Sequence, residues 1–518
     1  RIASKSWILG DSASARALDS ANTVHSIEMS TEPDAVWTDK RASKIARRIE
    51  ADIVRRGWPI GASLGSESAL QQRFCVSRSV LREAVRLVEH HQVARMRRGP
   101  NGGLFICEPN AGPATRAVVI YLEYLGTTIG DLLGARLVLE PLAASLAAEH
   151  IDEPGIERLR AVLRAEERWR PGLPPPPEQF YRVLAEQSKN PVLQLFIDIL
   201  MRLTKRYVQK SGTQSAGEAV EAAGQVHNEH SDIVAAVTAG DSAWAKTLSE
   251  RHVEAVAGWL QQHQRGNDAA VRNGGRAREP RRAQQLILGA PRGKLAEVLA
   301  ATIGDDIAAS GWQVGSVFGT ETALLERYQV SRAVLREAVR LLEYHAIAHM
   351  RRGPGGGLVV TTPQPQASID TIALYLQYRK PSREDLRCVR DAIEIDNVAK
   401  VVKRRSEPEV ASFLDTLGRP RLDNPTDDVR AAAVEEFRFH VGLARAAGNT
   451  MLDLFLLILV ELFRRHLSST EQALPTWSDV VAVGHAHVRI LEAIGSGDDS
   501  LARCRTRRHL DAAASWWL

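Results

Sequence analysis

Residues 77–106 read SRSVLREAVRLVEHHQVARMRRGPNGGLFI, and residues 331–360 read SRAVLREAVRLLEYHAIAHMRRGPGGGLVV, the same stretch offset by 254 positions (332 − 78). A fixed-offset repeat of this length marks an internal duplication, and the offset far exceeds the period of about 20–50 residues typical of solenoids. The repeated unit is therefore a whole module. At 518 residues, the chain has room for two copies of a small domain plus a larger one, at about 150 residues per domain.

Within the quoted stretch, Ser77 is a favoured helix N-cap, as is Ser331 in the second copy. From Ser77 the apolar residues Val80, Ala84, Leu87 and Val88 recur as one helical stripe, while Arg78, Arg82 and Arg86 lie away from it. Arg78 and Arg82 are spaced i, i+4 near the positive end of the helix, a like-charge arrangement that costs the isolated helix roughly a few tenths of a kcal/mol. An anionic partner explains such a pair better than helix stability does. Arginine also reads guanine O6 and N7 through two parallel hydrogen bonds, each such contact giving about 1–3 kcal/mol of discrimination. Arg97-Arg98-Gly99, repeated as Arg351-Arg352-Gly353, puts further cations beside a turn able to approach a phosphate or a minor groove. A solvated arginine-rich face partly neutralised by Glu83 and Glu89 is the bland alternative, but it does not account for the whole set recurring with Arg332 and Arg336.

Upstream, Ile45, Ala46, Ile49 and Ile53 show helical spacing that stops at Gly57-Trp58, and Leu295 to Ile307 do the same before Gly311-Trp312. Short helices opened by Ser66-Glu67 and Thr320-Glu321 follow, then the helices from Ser77 and Ser331, then a hairpin turning through GPNGG or GPGGG. Three helices and a hairpin are the order of a winged helix-turn-helix. The remainder of each half is helical in pattern, so the expected fold is mainly α: two winged helix-turn-helix domains, each followed by an all-helical bundle of six or seven helices. Expected boundaries are a flexible tail over 1–35, a winged domain over 36–110, a bundle over 111–262, a linker over 263–288, a second winged domain over 289–363 and a second bundle over 364–518. The prolines at 174–177 mark a loop inside the first bundle.

Composition agrees with ordinary globular domains: 25% charged, 44% apolar and a net charge of +5, so local arginine clusters matter more than the total. Four cysteines without a CxxC spacing point to a reducing, cytoplasmic location. The longest apolar run, residues 451–462, is broken by Asp453 and Glu461 and falls short of the roughly 20 residues of a membrane span.

The run GWPIGASLGSESALQQRFCVSRSVLREAVRLVEHHQVARMRRGPNGG resembles the DNA-binding domain of GntR-type bacterial transcription regulators, and both halves carry the pattern. The resemblance implies that Arg78, Arg82, Arg332 and Arg336 contact operator DNA, helped by the wings at Arg98 and Arg352. One departure stands out: Ser68 and Thr322 occupy the place where the family usually has an arginine after the glutamate of the short helix. A base or phosphate contact is then missing or replaced, and the family operator does not transfer directly.

Downstream, EEFRFHVGLARAAGNTMLDLF and HVRILEAIGSGDDSLARCRTRRHL resemble the all-helical effector domain called FCD, and most of both copies follows it. In that family these positions hold a divalent metal beside a carboxylate effector, which implies Glu436, His440, His487 and His509 as ligands here. Glu436 and His440 stand one helical turn apart, and imidazole plus carboxylate suits a Zn, Ni or Mn-like ion. Glutamate in place of the family's aspartate lengthens one arm by a methylene. Single histidines on apolar helices are more often hydrogen-bonded core residues than ligands. In the first copy, Tyr181 and Pro177 align with His440 and Glu436, leaving His230 and His252, so that bundle is expected to be metal-free.

The leading reading is a non-enzymatic, sequence-specific regulator of transcription, switched by a small molecule, with double-stranded operator DNA as partner. Both heads lie in one polypeptide, so the chain is expected to form an intramolecular pseudo-dimer, with further homo-oligomerisation open. A metal-dependent enzyme built on the second bundle lacks a second acid–base residue placed by motif and leaves the heads unexplained. A nonspecific architectural DNA binder needs no ligand pocket.

Overall fold

The computed structural model describes residues 40–99, 101–170, 179–210, 216–271, 295–363, 365–417, 429–467 and 477–517. The expected tail over 1–35 and the proline loop lie outside the described residues, as does most of the expected linker. The first winged domain consists of α1 (Lys40–Arg55), β1 (Ser63–Gly65), α2 (Glu67–Phe74), α3 (Arg78–His90), β2 (Ala94–Arg97) and β3 (Gly103–Ile106). Its bundle has α4 (Ala111–Tyr124), α5 (Ile129–His150), α6 (Glu153–Arg168), α7 (Phe180–Gln187), α8 (Pro191–Lys210), α9 (Ala216–Thr238) and α10 (Ser242–Val271). The second winged domain has α11 (Leu295–Ala309), β4 (Val317–Gly319), α12 (Glu321–Tyr328), α13 (Arg332–Tyr344), β5 (Ala348–Arg351) and β6 (Gly357–Val360). The second bundle has α14 (Pro365–Arg379), α15 (Arg383–Arg404), α16 (Pro408–Leu417), α17 (Val429–Ala447), α18 (Thr450–Leu467), α19 (Trp477–Ser496) and α20 (Asp499–Trp517). Helix α10 continues past residue 262, so the beginning of the expected linker is still helical.

In each head the first helix buries one apolar stripe, Ala42, Ile45, Ile49 and Ile53 in α1. It ends where Gly57 and Trp58 adopt φ 74° and 63°, and the Trp58 amide returns to the Ile53 carbonyl. The Trp58 indole N–H then donates to the Cys107 carbonyl at 3.1 Å, and Trp312 does the same to Thr361 at 3.0 Å. Each hairpin gains a third strand that the sequence reading did not include, giving sheet orders β1-β3-β2 and β4-β6-β5. The added strands are three residues long and joined through a register shift, too short to show alternation. Backbone approaches so closely there that a Cβ at Gly103 would meet the Gly65 carbonyl oxygen at 2.7 Å.

The two bundles share one apolar core. Phe196 of α8 stacks on Phe455 of α18 with centroids 4.1 Å apart and planes 7° apart, both fully buried. Around them the contacts are reciprocal. Asn190 donates from Nδ2 to the Asp385 carbonyl at 2.9 Å, and Asn449 donates to the Asp131 carbonyl at 2.9 Å. The same side chains accept through Oδ1 from amides in the first turn of their own helices, Val192 and Met451, at 2.9 and 3.1 Å. One asparagine therefore caps a helix and ties it to the other copy.

Truncating either stacked ring leaves a cavity in this shared core. Phe196→Ala and Phe455→Ala are each expected to cost about 3–5 kcal/mol. Because the rings touch, a double-mutant cycle followed by chemical unfolding should show coupling of about 0.5–1.5 kcal/mol. Strict additivity would mean the bundles do not associate through this pair.

Candidate DNA-reading heads and a candidate metal centre

Helices α3 and α13 begin as the caps require. Ser77 Oγ accepts from the Val80 amide and Ser331 Oγ from the Val334 amide, both at 3.4 Å. Arg78 and Arg82 project to solvent, 64% and 56% exposed, but they are not free. Glu67 of α2 accepts from Arg78 Nε at 3.0 Å and from Arg82 Nε at 2.8 Å. The hydrogen bond from Arg78 holds the Glu67 carboxyl below its ordinary range. In the second head, Glu321 lies 3.9 Å from Arg336, and Arg332 has no carboxylate partner among the described residues. The duplicated heads thus present their arginines differently, which the nearly identical motifs did not reveal.

The wings also divide the predicted pairs. Arg97 lies on β2 with its guanidinium 4.5 Å from the Phe105 ring centroid, and Arg351 donates to the Gly355 carbonyl at 2.9 Å. Arg98 and Arg352 stand at the turn itself, next to Gly99 and Gly353 with φ 116° and 97°. Arg95, exposed on β2, adds a cation to the first wing where the second has His349. Strand alternation would have placed it outward, but it lies outside the repeated Arg-Arg-Gly.

In the second bundle, four residues from three helices converge. Glu436 and His440 come from α17, His487 from α19 and His509 from α20, and their ligand atoms all lie within 4.8 Å of one another. His440 Nε2 is 3.0 Å from His509 Nε2, and His487 Nε2 is 3.3 Å from His509 Nε2. Glu436 Oε1 is 3.1 Å from His440 Nε2, and its Oε2 is 2.9 Å from His487 Nε2. Tetrahedral zinc with Zn–N bonds of about 2.0–2.1 Å needs nitrogens roughly 3.3 Å apart, so this spacing fits an ion of that size. His440 and His509 Nε2 both lie within hydrogen-bond reach of Glu436 Oε1, at 3.1 and 3.2 Å, so the rings can be satisfied by the carboxylate, and the fit to a cation rests on the spacing of the donors.

Two residues that the sequence reading missed organise this centre. Glu394 of α15 contacts His440 Nδ1, fixing the ring so that Nε2 faces the cluster, as carboxylates behind metal-binding histidines do. Arg390, also on α15, pairs with Glu394 and reaches within 3.8 Å of Glu436 Oε1. Burial opposes ionisation of Glu394, but Arg390 and His440 outweigh it and bring the carboxyl to about 2. Burial likewise opposes the His440 charge, and the Glu394 and Glu436 carboxylates override it, raising His440 to about 9. Burial dominates at His487 and lowers it to about 4. The available signal was an Arg-x-x-x-Glu in both halves, Arg136-Glu140 and Arg390-Glu394, at the duplication offset (390 − 136 = 254).

The first bundle is built differently. Tyr181 fills the place of His440 and its hydroxyl is 3.2 Å from Ser249 Oγ, while Pro177 lies outside the described residues. His230 Nδ1 is 3.0 Å from Glu166 and His252 Nδ1 is 2.6 Å from Glu229. Among the described residues, a group of at least three candidate metal donors occurs in the second bundle only.

Small winged sheets on three-helix heads, followed by helical bundles with a cluster of histidines and a carboxylate, define a DNA-binding regulator with sensor domains. The model of the bacterial regulatory proteins of the gntR family matches residues 41–105, and the FCD domain model matches twice, over 131–255 and 385–512. The chain belongs to the GntR family of transcription regulators and carries FCD domains. It is 28% identical over 201 residues to the HTH-type transcriptional regulator LutR of Bacillus subtilis (strain 168), covering 38% of this chain and 89% of that protein. A solved structure, Streptococcus agalactiae GntR, matches 42% of this chain and 98% of its own at 20% identity, with a TM-score of 0.28. No helix among the described residues is long and apolar enough to cross a membrane.

Burial lowers His230 to about 3 and His252 to about 4, so both rings are neutral in the fold near neutral pH. Below their ordinary value of about 6.5 the unfolded chain binds protons that the fold refuses, so their contribution is lost as pH falls from about 6.5 towards 4. Glu166, raised by burial to about 7, has the opposite sign and gains as pH falls from 7 towards its ordinary value. The two imidazoles pull the first bundle towards acid lability, while Glu166 and Glu140, whose carboxyl is also raised by burial, pull the other way. Thermal unfolding of His252→Gln across that window should show a flatter acid limb than the parent; an identical limb would remove the assignment.

Proposed function

We propose that the chain binds a two-part operator through both heads at once, and that a small carboxylate effector held in the second bundle controls its affinity. Support for the DNA half comes chiefly from one observation: two N-capped helices, each presenting arginines at its start beside an arginine-tipped wing. Ser77, Arg78 and Arg82 would read one half-site and Ser331, Arg332 and Arg336 the other, with Arg98 and Arg352 on phosphates. Arg97 and Gly99, with Arg351 and Gly353, would shape the wings. Since Glu67 engages the first pair and Glu321 barely touches the second, the half-sites need not be identical.

In the second bundle, Glu436, His440, His487 and His509 would hold a Zn, Ni or Mn-like ion, whose open positions supply a positive centre for a carboxylate oxygen. Glu394 would keep the His440 ring aimed at the cluster, and Arg390 would hold Glu394 in place. The first bundle, with Tyr181 among its histidines, would remain metal-free and serve assembly.

Arg78→Ala or Arg332→Ala is expected to cost about 1–3 kcal/mol in binding to a duplex selected by the full chain from a random library. Arg98→Ala or Arg352→Ala should weaken binding to all duplexes alike and reduce the salt slope by about one. Titrations matching the parent would refute these roles. Native mass spectrometry should give one chain per two-part operator; two chains would mean that each copy pairs with its equivalent in another chain.

Elemental analysis should find about one metal ion per chain, consistent with the one cluster of donors among the described residues. His440→Ala combined with His487→Ala should abolish it. Two ions per chain, or unchanged content in the variant, would sink the asymmetric assignment.

A further inference from the structure

Each head is fastened to the bundle of the other copy. Helix α14 follows the second head in sequence, yet its Leu374 is 3% exposed within the core of the first head, and its Tyr378 packs against that core. The Tyr378 ring lies 5.3 Å from Trp58, and its hydroxyl donates to Glu108 at 3.0 Å. Asp370, also on α14, accepts from Arg47 of α1 at 3.2 Å and from Arg465 of α18 at 2.6 Å, linking the first head to the second bundle. The mirror arrangement holds on the other side. Ile120 of α4 belongs to the core of the second head, Tyr124 lies 5.3 Å from Trp312, and Arg116 pairs with Glu297 at 2.8 Å.

The cluster of metal donors is not duplicated, so this crossing has a direction. From Glu436 and His440 the contacts run to Arg390 and Glu394 on α15. Helix α15 starts at the Ser382–Asp385 capping box, just after α14 ends, so the two helices meet at a short, hydrogen-bonded joint. Helix α14 then enters the first head. In the first bundle the equivalent helix, α5, carries Arg136 and Glu140 beside Tyr181, and α4 leads to the second head. A cleft of about 470 Å³, lined in part by Trp58, Glu108, Tyr375 and Tyr378, opens along the seam between the first head and α14. The seam is therefore not closely packed along its whole length, and it lies outside the bundle core.

Resting on the metal reading above, we propose that occupancy of the Glu436 cluster is read out at the first head, the head of the opposite copy, through α15 and α14. The second head, docked on the bundle with Tyr181, serves as a constant anchor. A coupling route of this kind stands on a measured bias of one element by another, not on proximity. The relevant observable is local opening of each head.

Hydrogen–deuterium exchange of the full chain, with and without zinc alone, separates the possibilities. Zinc should protect α17, α19 and α20 at the site, then α14, and change exchange in α1 and β2–β3 of the first head, with α11 and β5–β6 of the second head unchanged. An equal or larger response in the second head, or protection of the site with neither head responding, overturns the proposal. No protection at the site overturns the metal reading and this proposal with it. A zinc-free arm tests the crossing itself: Tyr378→Ala should speed exchange in the first head on the order of tenfold, and Tyr124→Ala in the second head. The reverse pattern, or no change in either head, would show that the docking is not crossed, whatever the metal result.

Discussion

The two FCD bundles are packed into one apolar core, and the placement of both heads depends on that packing. Phe196 and Phe455 stack where equivalent positions of the duplicated sequence meet, and Asn190 and Asn449 each bond to the backbone of the other copy. A polar group placed in such a core must find its partner, and here the partner lies across the interface. Separation of the bundles would therefore expose apolar surface and also orphan two amides. The association fixes where α4 and α14 run, and so where each head is held.

Duplication left the two modules free to diverge because the shared core constrains only its own residues. Behind it, one bundle keeps a carboxylate and three imidazoles on a common centre, while the other replaces one imidazole with Tyr181 bonded to Ser249. Both retain a buried arginine–glutamate pair on the same helix, Arg136 with Glu140 and Arg390 with Glu394. Such a pair is costly to bury and costlier to break, since removing one partner strands a charge. In the second bundle it acquires work beyond structure, because Glu394 also orients His440. The heads have diverged more subtly, in how firmly a glutamate of the short helix engages the arginines at the start of α3 and α13.

Much was legible in the residues themselves. Helix starts at Ser66, Ser77, Thr320 and Ser331 follow from a side-chain oxygen meeting an amide three residues on, and the structure forms each of these bonds. The apolar stripes of α1 and α11 follow from helical spacing. Glu436 and His440 share a face because they are four apart, and His487 and His509 were found by motif. The third strand of each sheet was not legible, since three residues carry no period. Glu394 and Arg390 were missed because nothing in a buried Arg-x-x-x-Glu says which side chain it will meet. The wing pair was read as equivalent cations, yet strand geometry turns Arg97 back over Phe105 and leaves Arg98 at the tip.

The sequence by itself determined the duplication, the order of helices and strands in each module, the cationic start of α3 and α13 and the identity of the candidate metal donors. These rest on contacts within a few residues, where caps, turns and periodicity act. Only the tertiary structure decided which head docks on which bundle, which arginines are already engaged by Glu67, and that four donors meet at one point. Those outcomes join residues far apart in the chain, such as Trp58 with Tyr378 and Glu436 with His509, and they are set by how whole apolar faces pack together.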